Sequence, residues 1–168
     1  MEDVGVEGCY DNVEIAKQAL VQMLDYESGG HLQESLSNGT AFVSDDYLRG
    51  YIALGTEGDR FYVAISKVQT AMPYNLVYAQ IDTKNVELDI VGYSDFNTAY
   101  DAMLKTMNIK ANTQGIINKD YINVDITPLG KRGLQENSFF DLTEDSGYVC
   151  IKGGQLRWIG EVHQGYGC

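Results

Sequence analysis

Three cysteines and two histidines are the residues through which this chain would carry out covalent chemistry: Cys9, Cys150, Cys168, His31 and His163. Cys9 is the best placed, in Gly8-Cys9-Tyr10 immediately ahead of an expected helix. A helix N-terminus favours a thiolate, which makes Cys9 a weak candidate nucleophile with His31 or His163 as its base. Two features oppose that role. The longer signature that surrounds a papain-like cysteine is missing, and the neighbouring carboxylates Glu7 and Asp11 disfavour a thiolate. The preferred reading of Cys9 is a small buried residue before a helix. His31 follows two glycines in a polar loop and His163 ends an expected strand, so both read as solvated surface residues.

A second constellation is carboxylate-based. The run Leu76-Val77-Tyr78-Ala79-Gln80-Ile81-Asp82-Thr83-Lys84 resembles the strand-then-Asp-x-Lys element of many metal-dependent nucleases. That resemblance implies Asp82 as a Mg²⁺ ligand, Lys84 assisting the attacking water, and Glu57 or Asp59 as the second carboxylate. The same Asp-Thr-Lys-Asn is ordinary turn chemistry between two alternating runs, and the hairpin reading is preferred. Other sites are missing outright. Zinc needs ligands in close pairs, calcium loops need Asp-x-Asp-x-Asp-Gly, and serine hydrolases need Gly-x-Ser-x-Gly; none occurs. Gly130-Lys131-Arg132-Gly133 lacks the upstream glycine and the Ser/Thr of a phosphate loop, and reads as a solvated loop. The expectation is a protein without catalysis, cofactor or metal.

These residues must be held by two helices and a set of strands. Asp11 and Glu14 form a capping box for a helix over about 12–26, in which Val13, Ala16, Leu20, Met23 and Leu24 make one apolar stripe. A second helix over about 95–107, capped by Ser94 or Asp95, carries the stripe Phe96, Ala99, Tyr100, Met103 and Met107. Elsewhere the period is two. Strands are expected over 51–54, 60–67, 75–81, 86–93 and 121–126, and a C-terminal hairpin over 148–152 and 155–163 turns at Gly153-Gly154. Long loops are expected over 28–46 and 127–140, with a short helix near His31–Leu36. Strands outnumber helices and do not alternate with them, so the fold class is α+β, a single domain with a mostly antiparallel sheet.

The 168 residues suit one core. Apolar residues are 44% and charged ones 21%, which excludes a disordered chain. No apolar run approaches the roughly 18 residues that span a bilayer, and the acidic start is unlike a signal peptide. An odd, scattered cysteine count without Cys-x-x-Cys points to reduced thiols and a cytoplasmic location. Cys150 reads as a buried strand thiol, and Cys168 lies in a Gly-Tyr-Gly-Cys tail that is not a prenylation box. Twelve tyrosines and Trp158 fit both strands and recognition surfaces, and composition does not separate the two.

Charge is the feature that departs from an ordinary surface. The chain carries −12, and residues 1–48 hold ten of the acids against a single base, Lys17. Direct binding of nucleic acid through a basic groove is therefore not expected. A lobe of this sign attracts a basic partner, and reliably basic surfaces belong to proteins that hold nucleic acid. By analogy of charge alone, such a lobe acts as a phosphate mimic, as anti-restriction and anti-CRISPR proteins of phages and mobile elements do. The expected binding residues are Glu14, Asp25, Glu27, Glu34, Asp45 and Asp46, on ordered structure; Glu2, Asp3 and Glu7 precede the helix and should matter less. A Cys9-dependent hydrolase or transferase and a protein that sequesters a small ligand are the alternatives. No membrane role is expected, and the oligomeric state is open.

Overall fold

In the computed structural model, two antiparallel sheets each carry helices on one face. The structure describes residues 4–55, 58–68, 72–83, 85–124 and 137–165. Contacts divide the chain into a unit of Cys9–Lys67 and a unit of Met1–Gly8 with Val68–Cys168. Of the acidic lobe expected over about 1–48, residues 9–48 fall in the smaller unit, which continues through two more strands to Lys67, and residues 1–8 are grouped with the larger one. The class is α+β, as the pattern implied.

The smaller unit begins with helix α1, Val13–Glu27. Asn12 caps it in place of the expected Asp11: its backbone is extended and its side chain accepts the Glu14 N–H at 2.7 Å. Gly29 and Gly30 end it with positive φ. Helix α2, Leu32–Asn38, follows at once and stops at the left-handed Gly39. Asp25 ties the two together by accepting the Leu32 N–H at 3.2 Å. Strands β1 (Ala41–Val43), β2 (Arg49–Leu54) and β3 (Asp59–Ala64) form a meander in that order. Period two divides its side chains. Ala41, Ile52 and Phe61 pair in one row and face Leu20, Leu24 and Leu32. Gly50 lies on this inner face, where a Cβ would stand 2.6 Å from the Phe42 carbonyl oxygen and 2.7 Å from a Leu24 methyl. Only glycine lets α1 sit this close.

The larger unit holds β4 (Tyr74–Asp82), β5 (Val86–Tyr93), α3 (Phe96–Ala111), β6 (Phe139–Leu142), β7 (Ser146–Ile151) and β8 (Leu156–Gln164). The sheet order is β5-β4-β8-β7-β6, antiparallel throughout, so α3 carries the chain from one edge to the other. Asp95 caps α3 by accepting the Thr98 N–H at 2.8 Å. Tyr100, Met103 and Met107 are at most 1% exposed and meet Leu76, Val149, Phe140 and Trp158 on the sheet. On the opposite face Ala79, Tyr148, Cys150 and Ile159 are buried, with Val4 against them.

Several expectations change. The alternating run at 121–124 is not a strand: Lys119–Tyr121 is a turn of 3-10 helix and Asn123 is left-handed at φ 57°. Residues 125–126 of that run lie outside the described residues. Phe139–Leu142, expected partly as loop, pairs with β7. The final hairpin closes through four residues rather than two. Ile151 and Leu156 are the last pair, and Lys152, Gly153 and Gly154 all have positive φ. Asn137 and Ser138 brace this loop, accepting the N–H groups of Gly153 at 2.7 Å and Lys152 at 3.0 Å. Among the described residues no helix is long and apolar enough to cross a membrane.

Candidate interaction surface

Cys9 is exposed and disulfide-bonded, which removes it as a nucleophile and corrects both the buried-thiol reading and the expectation that all three thiols are reduced. Cys150 is a buried thiol in β7; Cys168 lies outside the described residues. His31 stands before α2 with Nδ1 3.9 Å from Glu34, and His163 on β8 has Nε2 3.5 Å from Glu161.

The nuclease-like element is a hairpin turn. Asp82 accepts the Asn85 N–H at 2.7 Å and donates its own N–H to the Asn85 carbonyl at 2.9 Å, closing the β4–β5 connection. Lys84 and Glu57 lie outside the described residues, as do Lys131 and Arg132. Among the described residues no three His, Cys, Asp or Glu side chains gather to hold a metal.

All six acids singled out for binding belong to the unit of Cys9–Lys67, but they do different work. Asp25 and Asp46 are built into connections. Asp46 accepts the Ser44 O–H at 2.6 Å and the Leu48 N–H at 3.1 Å, and these bonds hold its carboxyl below the ordinary aspartate value. Asp25 joins α1 to α2. Glu14 is 3.4 Å from Lys17 in the first turn of α1, and Glu34 faces His31. Glu27 and Asp45 are exposed on α1 and on the turn before β2. Glu14, Glu27, Glu34 and Asp45 are thus available without loss of a turn.

The outer face of the small sheet carries a surface that the sequence did not reveal. Phe42, Tyr51 and Tyr62 pair in one row across β1, β2 and β3. Their rings follow one another at 5.6 and 5.7 Å. Arg60 lies over the Tyr51 ring at 4.4 Å, and Arg49 is two positions away on the same strand and face as Tyr51. The signal is period-two spacing of aromatics beside arginine, and it stays hidden unless the three-residue β1 is placed.

Tyrosines of the larger unit are structural by comparison. Tyr100 is 1% exposed and Tyr148 is 8% exposed. Tyr78 stacks on Trp158 at 5.9 Å and donates to Glu87 at 2.9 Å. Burial, reinforced by Glu87, pushes the Tyr78 phenol up to about 12. A depression of about 480 Å³ over Thr83, Ile151, Lys152, Gln155 and Leu156 is open to solvent. No protein-family model, curated protein or solved structure matches the chain.

Proposed function

We propose that the protein acts by binding a basic protein surface through the acidic unit of Cys9–Lys67, without catalysis. The observation that carries this reading is the placement of all six expected acids on that one unit, four of them on its exposed helices and turns. Nine acids against four bases in residues 9–67 give the unit a field that raises the encounter rate with a cationic partner. The disulfide at Cys9 counts against the cysteine-hydrolase alternative, and the open depression offers little support for sequestering a small ligand.

The sharper form is phosphate mimicry, in which the partner's surface is one that holds nucleic acid. Duplex DNA then competes with this protein for the partner. Affinity capture from the source organism, repeated at low and high salt and with added DNA, tests both levels. Salt-sensitive capture displaced by DNA supports mimicry; salt-sensitive capture that DNA leaves intact supports only the coarser reading; capture indifferent to salt removes both. A cytoplasmic location, expected from scattered cysteines, sits poorly with the disulfide, because reducing compartments keep thiols open. An oxidising compartment fits Cys9 better.

A further inference from the structure

The end of α2 carries a motif unrelated to net charge or to a nucleophilic thiol, Asn38-Gly39-Thr40. Ten asparagines occur in the chain, and Asn38 alone has Ser or Thr two positions on with a residue other than proline between. Asn-x-Ser/Thr is the acceptor pattern for an N-linked oligosaccharide. Such a group is bulky and hydrated, so its acceptor must stand on the surface. Asn38, Gly39 and Thr40 are all exposed, between α2 and β1.

The local fold brings the two ends of the motif together. Gly39 leaves α2 in the left-handed region at φ 81°, and the turn it makes sets Thr40 against Asn38. Asn38 Oδ1 accepts the Thr40 N–H at 3.0 Å and the Thr40 O–H at 2.6 Å. A backbone N–H only donates, so the amide end it meets is the oxygen and the other end is Nδ2. Among the described residues Nδ2 donates to none. Thr40 is itself anchored, since its N–H also reaches the Ser35 carbonyl at 3.0 Å and its carbonyl accepts the Ala53 N–H at 2.8 Å. The hydroxyl that the pattern requires is therefore already paired with the amide that would receive the sugar.

An independent observation is the disulfide at Cys9, in the same unit. Disulfides persist in oxidising compartments, and N-linked acceptors belong to the surface loops of proteins that pass through them. We propose that Asn38 carries an N-linked oligosaccharide. The donor is a lipid-linked oligosaccharide diphosphate, and a host transferase joins the two. The bond from Asn38 Nδ2 to the anomeric carbon forms as the bond from that carbon to the diphosphate oxygen breaks. The lipid diphosphate leaves with the electron pair, and the amide gives up one N–H proton to a base of the transferase. This goes beyond the acidic-surface reading and is compatible with its coarser form, because basic surfaces are met outside the cytoplasm too. No partner enters the test, so either reading can fail alone.

Mass spectrometry of the intact protein from its source organism, before and after a peptide-N-glycosidase, provides that test. The mass should exceed that of the sequence by a whole oligosaccharide, and the enzyme should remove the excess. Release in heavy-oxygen water should leave the acceptor asparagine as an aspartate with the heavy label, which separates sugar loss from spontaneous deamidation at Asn38-Gly39. Asn38→Gln and Thr40→Ala, made in the same organism, should each abolish the added mass. Thr40→Ser should retain it, because the hydroxyl remains. A wild type of unmodified mass overturns the proposal, as does deamidation without sugar or an oligosaccharide that survives Asn38→Gln. The wild-type measurement decides by itself, so a variant that folds poorly does not blunt the test.

Discussion

Tyr100 is 1% exposed on α3 and donates its phenol O–H to the Thr143 carbonyl at 2.7 Å. Burial, helped by the charge of Asp145, lifts the phenol from its ordinary value of 10 to about 12. A group whose folded pKa is raised contributes stability that is complete below its unfolded pKa and lost as pH rises through the folded one. Melting temperature should therefore fall between pH 10 and 12, and Tyr100→Phe should lose part of that dependence while costing about 1 kcal/mol at neutral pH. Asn108, half-buried at the end of α3, is a second anchor. Its Nδ2 donates to the Leu104 and Ile117 carbonyls, and its Oδ1 accepts from the Thr113 O–H and the Ile117 N–H. Asn108→Ala should cost roughly 1–3 kcal/mol by denaturant unfolding. Cys9→Ala should leave binding intact but lower stability by about 2–5 kcal/mol through loss of the disulfide. Rapid alkylation of Cys9 in the untreated protein, with loss of function, would contradict this assignment. Residues of this kind were legible in part. The nucleophile argument at Cys9 rested on local spacing, whereas a disulfide depends on a partner that spacing does not bring near. Asn108 shows no signal, because most of its partners are backbone groups, of its own helix and of the loop folded back on it.

At the scale of elements, long periodic segments were read well and short or strained ones were not. The 86–93 strand has the expected bounds, and both long helices were found within four residues at every end. β1 and β6 escaped because three or four residues are too few to show a period. The run at 121–124 misled because alternation of side-chain types does not specify backbone dihedrals, and Asn123 adopts the left-handed region that asparagine tolerates. Core expectations divide in the same way. Leu20 and Met103 are buried, and alanine at either should cost about 2–5 kcal/mol. Ile65 and Ile90, apolar members of the strands expected over 60–67 and 86–93, are half-buried, so their truncation should cost less. Two glycines of the larger sheet provide a paired test of packing. A Cβ on Gly160 would lie 2.5 Å from the Trp158 ring, while one on Gly147 would meet the Met107 sulfur. The indole is rigid and enclosed, whereas methionine can change rotamer. Gly160→Ala should therefore destabilise the protein more than Gly147→Ala in parallel thermal melts, and the reverse order would show that the indole yields more readily than the thioether.

For the whole molecule, the property that the sequence displays most clearly is charge, and the proposed binding acids lie on the unit of Cys9–Lys67, which holds nine acids against four bases while the rest of the chain holds fifteen against eight. Exposed charges act beyond contact only within about 8 Å at physiological salt, so a partner must bring basic groups close to that unit. Single neutralisations should each weaken binding by about 0–1 kcal/mol. Their combined effect belongs to association, because the summed field guides the encounter. The structure also narrows which acids to change. Asp25 and Asp46 hold connections, so altering them would confuse folding with binding, while Glu14, Glu27, Glu34 and Asp45 can be neutralised without breaking a turn. The most direct measurement is the association rate of the fourfold variant, Glu14→Gln, Glu27→Gln, Glu34→Gln and Asp45→Asn, with the partner recovered by affinity capture. It is recorded across a salt series beside the wild type. The account predicts a sharply slower rate at low salt, a flatter salt dependence and a dissociation rate that changes little. A folded fourfold variant that associates at the wild-type rate at low salt would contradict it.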